Sequence, residues 1–208
     1  MPEIRSRSFA VAGIFVLAAT TATTAWAVPM ECTEDTLRMA LGGQGTMPGE
    51  LLRECLLLEP SHPDYPVTQY MISVHYRRRH DFRNAAVFLD RAARTTPFET
   101  NPRVLYVLAQ YQIAAGEVER GLISKDRFLS FSAALSHLDR MRRTRKLYSL
   151  LHEVYEIRAI EAPTPEKYEQ YRLTAKFYDQ ARRHLDREIE KLTGDIAAAP
   201  PAAPGRSG

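Results

Sequence analysis

Residues 80–97 read HDFRNAAVFLDRAARTTP. Ala85 and Ala92 stand two helical turns apart with Leu89 between them, and the run stops at Pro97. A helix that keeps its smallest side chains on one face leaves room there for a second helix to approach closely. Pro97 cannot continue the helix, so the segment ends sharply. The stretch before it, residues 66–79 (PVTQYMISVHYRRR), opens on a proline suited to a first helical turn and offers Ser73 as its own small residue. The two predict an antiparallel pair of helices over 66–79 and 82–95, with Tyr76 and Leu89 filling the space around the small positions.

Helical periodicity continues along almost the whole chain, and strand alternation is nearly absent, so the fold class is all-α. Pro48 opens a short helix that Pro60 closes. Residues 136–160 run without a breaker. Thr164 and Pro165 then cap a last helix over 165–193, with Tyr168, Tyr171, Ala175, Tyr178, Leu185, Ile189 and Leu192 on one side and Gly194 as its expected C-cap. The folded domain is expected over 28–194. The Ala/Pro-rich tail, 195–208, has little with which to pack a core and is expected to be disordered.

Ile72, Ser73, Tyr76, Ala85, Leu89 and Pro97 fall at the offsets of a tetratricopeptide repeat, and the pair over 66–97 resembles that family. Gln69 stands where the family's pattern usually has a large aromatic. Downstream, Leu108, Ala109 and Gly116 continue the pattern 36 residues on, with Gly121 and Lys125 replacing the expected alanine and large apolar residue. Upstream, Cys55 takes the position of Ala92, and Cys32 falls near the start of the paired helix. The resemblance implies a TPR-like α-solenoid of about three helical hairpins, ended by a long C-terminal capping helix that keeps one charged face to water. It also implies a concave groove made by the first helix of each hairpin, lined from Tyr70, Ser73, Arg77, Tyr106 and Gln110.

Arg5 and Arg7, an apolar run from Phe9 to Ala19 and the small residues around Trp26 have the order of a secretory signal cut after Ala27. Four threonines and the short apolar core weigh against a spanning anchor. Export makes the compartment oxidising, and the chain has two cysteines, Cys32 and Cys55, which read as a disulfide. The expected location is periplasmic or secreted.

No phosphate loop, dinucleotide fingerprint or nucleophile elbow appears, so neither an enzyme nor a cofactor is expected. His152 and Glu156 share a helix face at i, i+4, but HEVYE lacks the second histidine of a zinc motif, and no metal site is expected. Charge is the stronger signal. Residues 28–64 hold two basic and seven acidic side chains, whereas 65–160 hold sixteen and nine. Arg140, Arg142, Arg143, Arg145 and Lys146 crowd seven residues of one helix and repel one another unless something acidic approaches. Export disfavours nucleic acid as that partner. The expected function is a periplasmic adaptor that binds a protein partner in an envelope assembly, with Arg142, Arg143 and Arg145 joining the groove as contact residues. The alternative is a peripheral binder of anionic lipid or wall polymer through Arg140–Lys146.

Overall fold

The structure is a computed structural model and describes residues 31–43 and 45–198. The expected signal segment and residues 199–208 of the tail lie outside the described residues. Within them the fold is all-helical: α1 (Glu34–Gly43), α2 (Gly49–Leu56), α3 (Tyr65–Arg78), α4 (Phe82–Ala92), α5 (Pro102–Ala114), α6 (Val118–Phe131), a 3-10 turn over Ser132–Ala134, α7 (His137–Ile160) and α8 (Pro165–Ala198). No helix among the described residues is long and apolar enough to cross a membrane.

Helix starts follow local chemistry. Asp81, Asn101, Ser136 and Thr164 each accept a hydrogen bond from a backbone N–H of the following first turn, satisfying donors that a helix leaves unpaired. α3–α4, α5–α6 and α7–α8 are packed neighbours, α4 joins the first pair to the second, and α5 meets α7. The turns of the first two pairs are copies of each other. His80 has φ 59° and Gly116 has φ 81°. After each, the next residue returns an N–H to a carbonyl five positions back: Asp81 to Tyr76 at 3.0 Å and Glu117 to Gln112 at 2.8 Å. This is the Schellman closure, which needs a left-handed residue just past the helix. Glycine adopts it freely, whereas His80 adopts it under strain.

The small residues sit where helices meet. Ala85, Leu89 and Ala92 are fully buried, as is Ser73 at 1% exposure. Gly121, which departs from the expected alanine, marks a still tighter approach of α6 to α5. A Cβ there would lie 2.5 Å from Ile113 Cγ1 and 3.3 Å from the Ala109 carbonyl. Ser124 Oγ donates to Gln112 Oε1 at 2.7 Å across the same buried seam.

α1 and α2 both lie on α3. The Cys32–Cys55 disulfide is present, with Cα atoms 5.2 Å apart. Cys55 is buried with Leu37, Leu41, Met47, Leu51, Ile72 and Phe88 in a satellite core. Phe88 and Tyr76 stack at 5.3 Å between this cluster and the main core, which runs from Ala85 to Tyr178.

Two expectations for the last helix change. α8 passes through Gly194 to Ala198, so Gly194 is not a C-cap. Its lone glycine lowers helix propensity by about 1 kcal/mol, which does not by itself end so long a helix. The outward face is also not uniformly charged: Leu173 is 54% exposed and Phe177 61%, while Ala175 and Tyr178 face inward.

Candidate binding groove

α3, α5 and α7 present one side of the molecule to solvent and enclose a groove of about 610 Å³. Val74 from α3, Val107 and Ala114 from α5, Leu150 from α7 and Phe82 at the start of α4 supply apolar surface. Tyr70 and Tyr111 supply aromatic faces with hydroxyls. Tyr70 stacks on Phe98 at 5.6 Å, and Tyr111 meets Phe82 at 6.0 Å, so both rings are held by packing. Burial pushes the Tyr111 phenol up to about 12, with Arg77 pulling the other way, so the hydroxyl remains a donor across the physiological range.

Among the described residues, the charged side chains lining the groove are Arg77 and Lys146, with His80 beside them and no carboxylate. Neither cation forms a salt bridge among the described residues. Arg142 stands one helical turn before Lys146 and is exposed. Arg142, Lys146 and Leu150 therefore form a row at i, i+4 and i+8 along α7. A positively charged, partly apolar channel of this kind suits an anionic amphipathic segment.

The expected lining residues divide. Tyr70, Arg77 and Gln110 line the groove. Ser73 and Tyr106 do not. Ser73 is buried, and its hydroxyl donates to the Tyr70 carbonyl at 2.6 Å. Tyr106 is 7% exposed, packs on Phe128 at 5.6 Å and lies under the Arg143 guanidinium at 4.9 Å. Both are buried in the packing between helices, away from the groove.

The basic stretch of α7 divides as well. Arg143 Nε donates to both carboxylate oxygens of Asp139 at 3.1 Å. Arg145 Nε donates to Asp186 of α8 at 2.6 Å. Arg140 meets His137 Nδ1 at 2.9 Å. Arg143 and Arg145 are thus engaged within the chain, whereas Arg142 and Lys146 have no acid partner among the described residues. Val74, His80, Phe82, Val107 and Ala114 join the groove without having been singled out in the sequence. The signal that reaches some of them is helical register: Val74 and Val107 lie at i+4 of Tyr70 and i−3 of Gln110.

His152 does not pair with Glu156. Its Nδ1–H donates to the Ala175 carbonyl at 3.2 Å, which places the ring in the α7–α8 seam. Among the described residues, no group of three or more His, Cys, Asp or Glu side chains is arranged to hold a metal ion.

Comparison with protein-family models, curated proteins and solved structures returns no significant match.

Proposed function

We propose that this chain is an exported, TPR-like adaptor of the bacterial envelope, whose groove holds an acidic, partly apolar segment of a partner protein. The observation that carries this reading is the groove lining itself: Tyr70, Tyr111 and an aliphatic floor beside two unneutralised cations, Arg77 and Lys146. An adaptor needs a preformed site with anchors for apolar side chains and fixed charge to set register. The TPR-like reading is supported by the repeated α3–α4 and α5–α6 turn closures and by the small residues buried between helices. Export is supported by the signal-like start of the chain and by the disulfide.

The alternative, adhesion to anionic lipid or wall polymer through the basic stretch of α7, is less well supported. Such adhesion draws on several free cations on one face. Arg143 and Arg145 already hold carboxylates, which reduces the charge that stretch can offer.

Affinity capture from the protein's own envelope extract separates the two readings. The adaptor reading expects a discrete protein on wild type, lost from Arg77→Glu/Lys146→Glu and kept by Arg145→Glu. Recovery of lipid or wall fragments alone on wild type would favour surface adhesion.

A further inference from the structure

A second cavity, of about 330 Å³, lies where α1, α3 and the start of α5 come together. Tyr70 lines both this cavity and the groove, so the two meet at its ring. Side-chain rows on two helices run through both without a break. On α3 the row is Val67, Tyr70, Val74 and Arg77, at i, i+3, i+7 and i+10. On α5 it is Arg103, Val107, Gln110 and Ala114, at i, i+4, i+7 and i+11. Each spacing keeps its members on one face of a helix. The early members of both rows line the second cavity and the later members line the groove. α3 and α5 therefore run side by side in the same direction, and the two cavities form one channel along them. From Val67 to Arg77 that channel extends about 15 Å, at the helical rise of about 1.5 Å per residue.

Charge is sorted along the channel. Arg38 of α1 lines the second cavity but is neutralised by Glu34. Arg103 is exposed and, like Arg77 and Lys146, forms no salt bridge among the described residues. Other carboxylates continue the rows only outside the lining. Asp64 lies one turn before Val67, and Glu153 one turn after Leu150. Asp139 and Asp81 are already held, by Arg143 and by the Asn84 backbone. The interior is thus cationic at two places, apolar and aromatic between them, and acidic past its ends. The α1 wall is fixed in advance by the disulfide, whose Cys32 Sγ lies 3.8 Å from Thr68 Oγ1 of α3.

From this continuity we infer that a single segment of the partner protein fills both cavities, crossing Tyr70. It carries one acidic side chain beside Arg103 and another between Arg77 and Lys146, with apolar side chains along the valines of both rows. Charge complementarity names this occupant, because a segment confined to the groove would leave Arg103 without a partner. The assignment rests on the adaptor reading of the groove and adds a length to it. The two acidic positions lie about 10–15 Å apart, which is about three to five residues of extended chain or seven to ten of helix.

Photocrosslinking in the protein's own cells tests this, with a photoreactive residue at Val67, and separately at Met71 of the same cavity, compared with one at Gln110. The second cavity and the groove should capture the same protein. Mass spectrometry should place their crosslinks in one segment of it, no more than about ten residues apart. Arg103→Glu should lower the yield from the second cavity at least about fivefold, with unchanged helical circular dichroism. Four results would overturn the inference while leaving the groove reading in place. They are an adduct at Gln110 with none at Val67 or Met71, a different protein at the second cavity, crosslinks in separate segments, and a yield indifferent to Arg103→Glu. Adducts at none of the three positions would overturn both.

Discussion

The backbone N–H of Met47 donates to Nδ1 of His75 at 2.9 Å, and the histidine is 1% exposed. This bond ties the α1–α2 connection to α3, with the Arg78 guanidinium reaching the carbonyls of Leu41 and Gly45 in the same region. Nδ1 can accept only while it carries no proton. Nε2 then carries the proton and finds no hydrogen-bond partner among the described residues.

Acid should therefore loosen the N-terminal helices. Burial first, and the nearby Arg79 guanidinium second, hold the His75 pKa below 6.5 in the folded state. The unfolded chain then binds more protons than the folded one between the folded value and about 6.5, so stability rises with pH in that window. Acidification from pH 7.5 should lower the urea midpoint as pH passes below about 6.5, levelling off once pH falls below the folded value. His75→Gln keeps an acceptor for Met47 and cannot titrate. Its midpoint should vary less over the same interval than that of wild type.

Two glycine substitutions should act in opposite directions. Gly121→Ala forces a Cβ to within 2.5 Å of the Ile113 side chain and 3.2 Å of its backbone nitrogen, and should destabilise the protein by about 1–3 kcal/mol. Gly194→Ala meets nothing within 4 Å on an exposed helical position, and should stabilise by up to about 1 kcal/mol. Denaturant titration of both variants, with unchanged m-values, checks the pair.

Removing the disulfide should act locally before it acts globally. Cys32 and Cys55 are separated by 23 residues, and closing a loop of that size is worth about 3 kcal/mol in the chain-entropy account. Reduction should lower the unfolding midpoint accordingly. Hydrogen exchange should quicken in α1 and α2 while α5 and α6 keep their protection.

Arg143 and Arg142 should separate stability from binding. Arg143 lies over Tyr106 at 4.9 Å and holds Asp139, so Arg143→Ala should cost about 1 kcal/mol of stability. Arg142→Ala should leave stability unchanged and weaken partner capture, because the side chain is exposed in the row that continues through Lys146. Thermal unfolding read beside capture yield distinguishes the two.

The starts of several helices were legible because their causes are local. Prolines at first turns, the Thr164 cap and small residues two turns apart each act within a few positions, whereas the caps at Asp81, Asn101 and Ser136 were not singled out and Gly194 does not end α8. The groove was legible only by half. Tyr70, Arg77 and Gln110 were found, but Ser73 and Tyr106 belong to the packed faces of α3 and α5, which helical register alone does not separate from the open faces. The basic stretch of α7 misled for a different reason. The carboxylate of Asp186 that holds Arg145 comes from α8, 41 residues away, and only the packing of the two long helices brings it there. Gly121 read as a loss of pattern, whereas it leaves room for Ile113 of α5 where a Cβ would collide.

Site-specific photocrosslinking in living cells tests the groove most directly. A photoreactive residue at Gln110 in the groove is compared with one at Ile123, 63% exposed on α6 and absent from the groove lining. The groove reading predicts a discrete protein adduct from Gln110, none of that mass from Ile123, and loss of the Gln110 adduct in Arg77→Glu/Lys146→Glu. No protein adduct at Gln110, the same adduct at both positions, or an adduct indifferent to the charge reversal would contradict it.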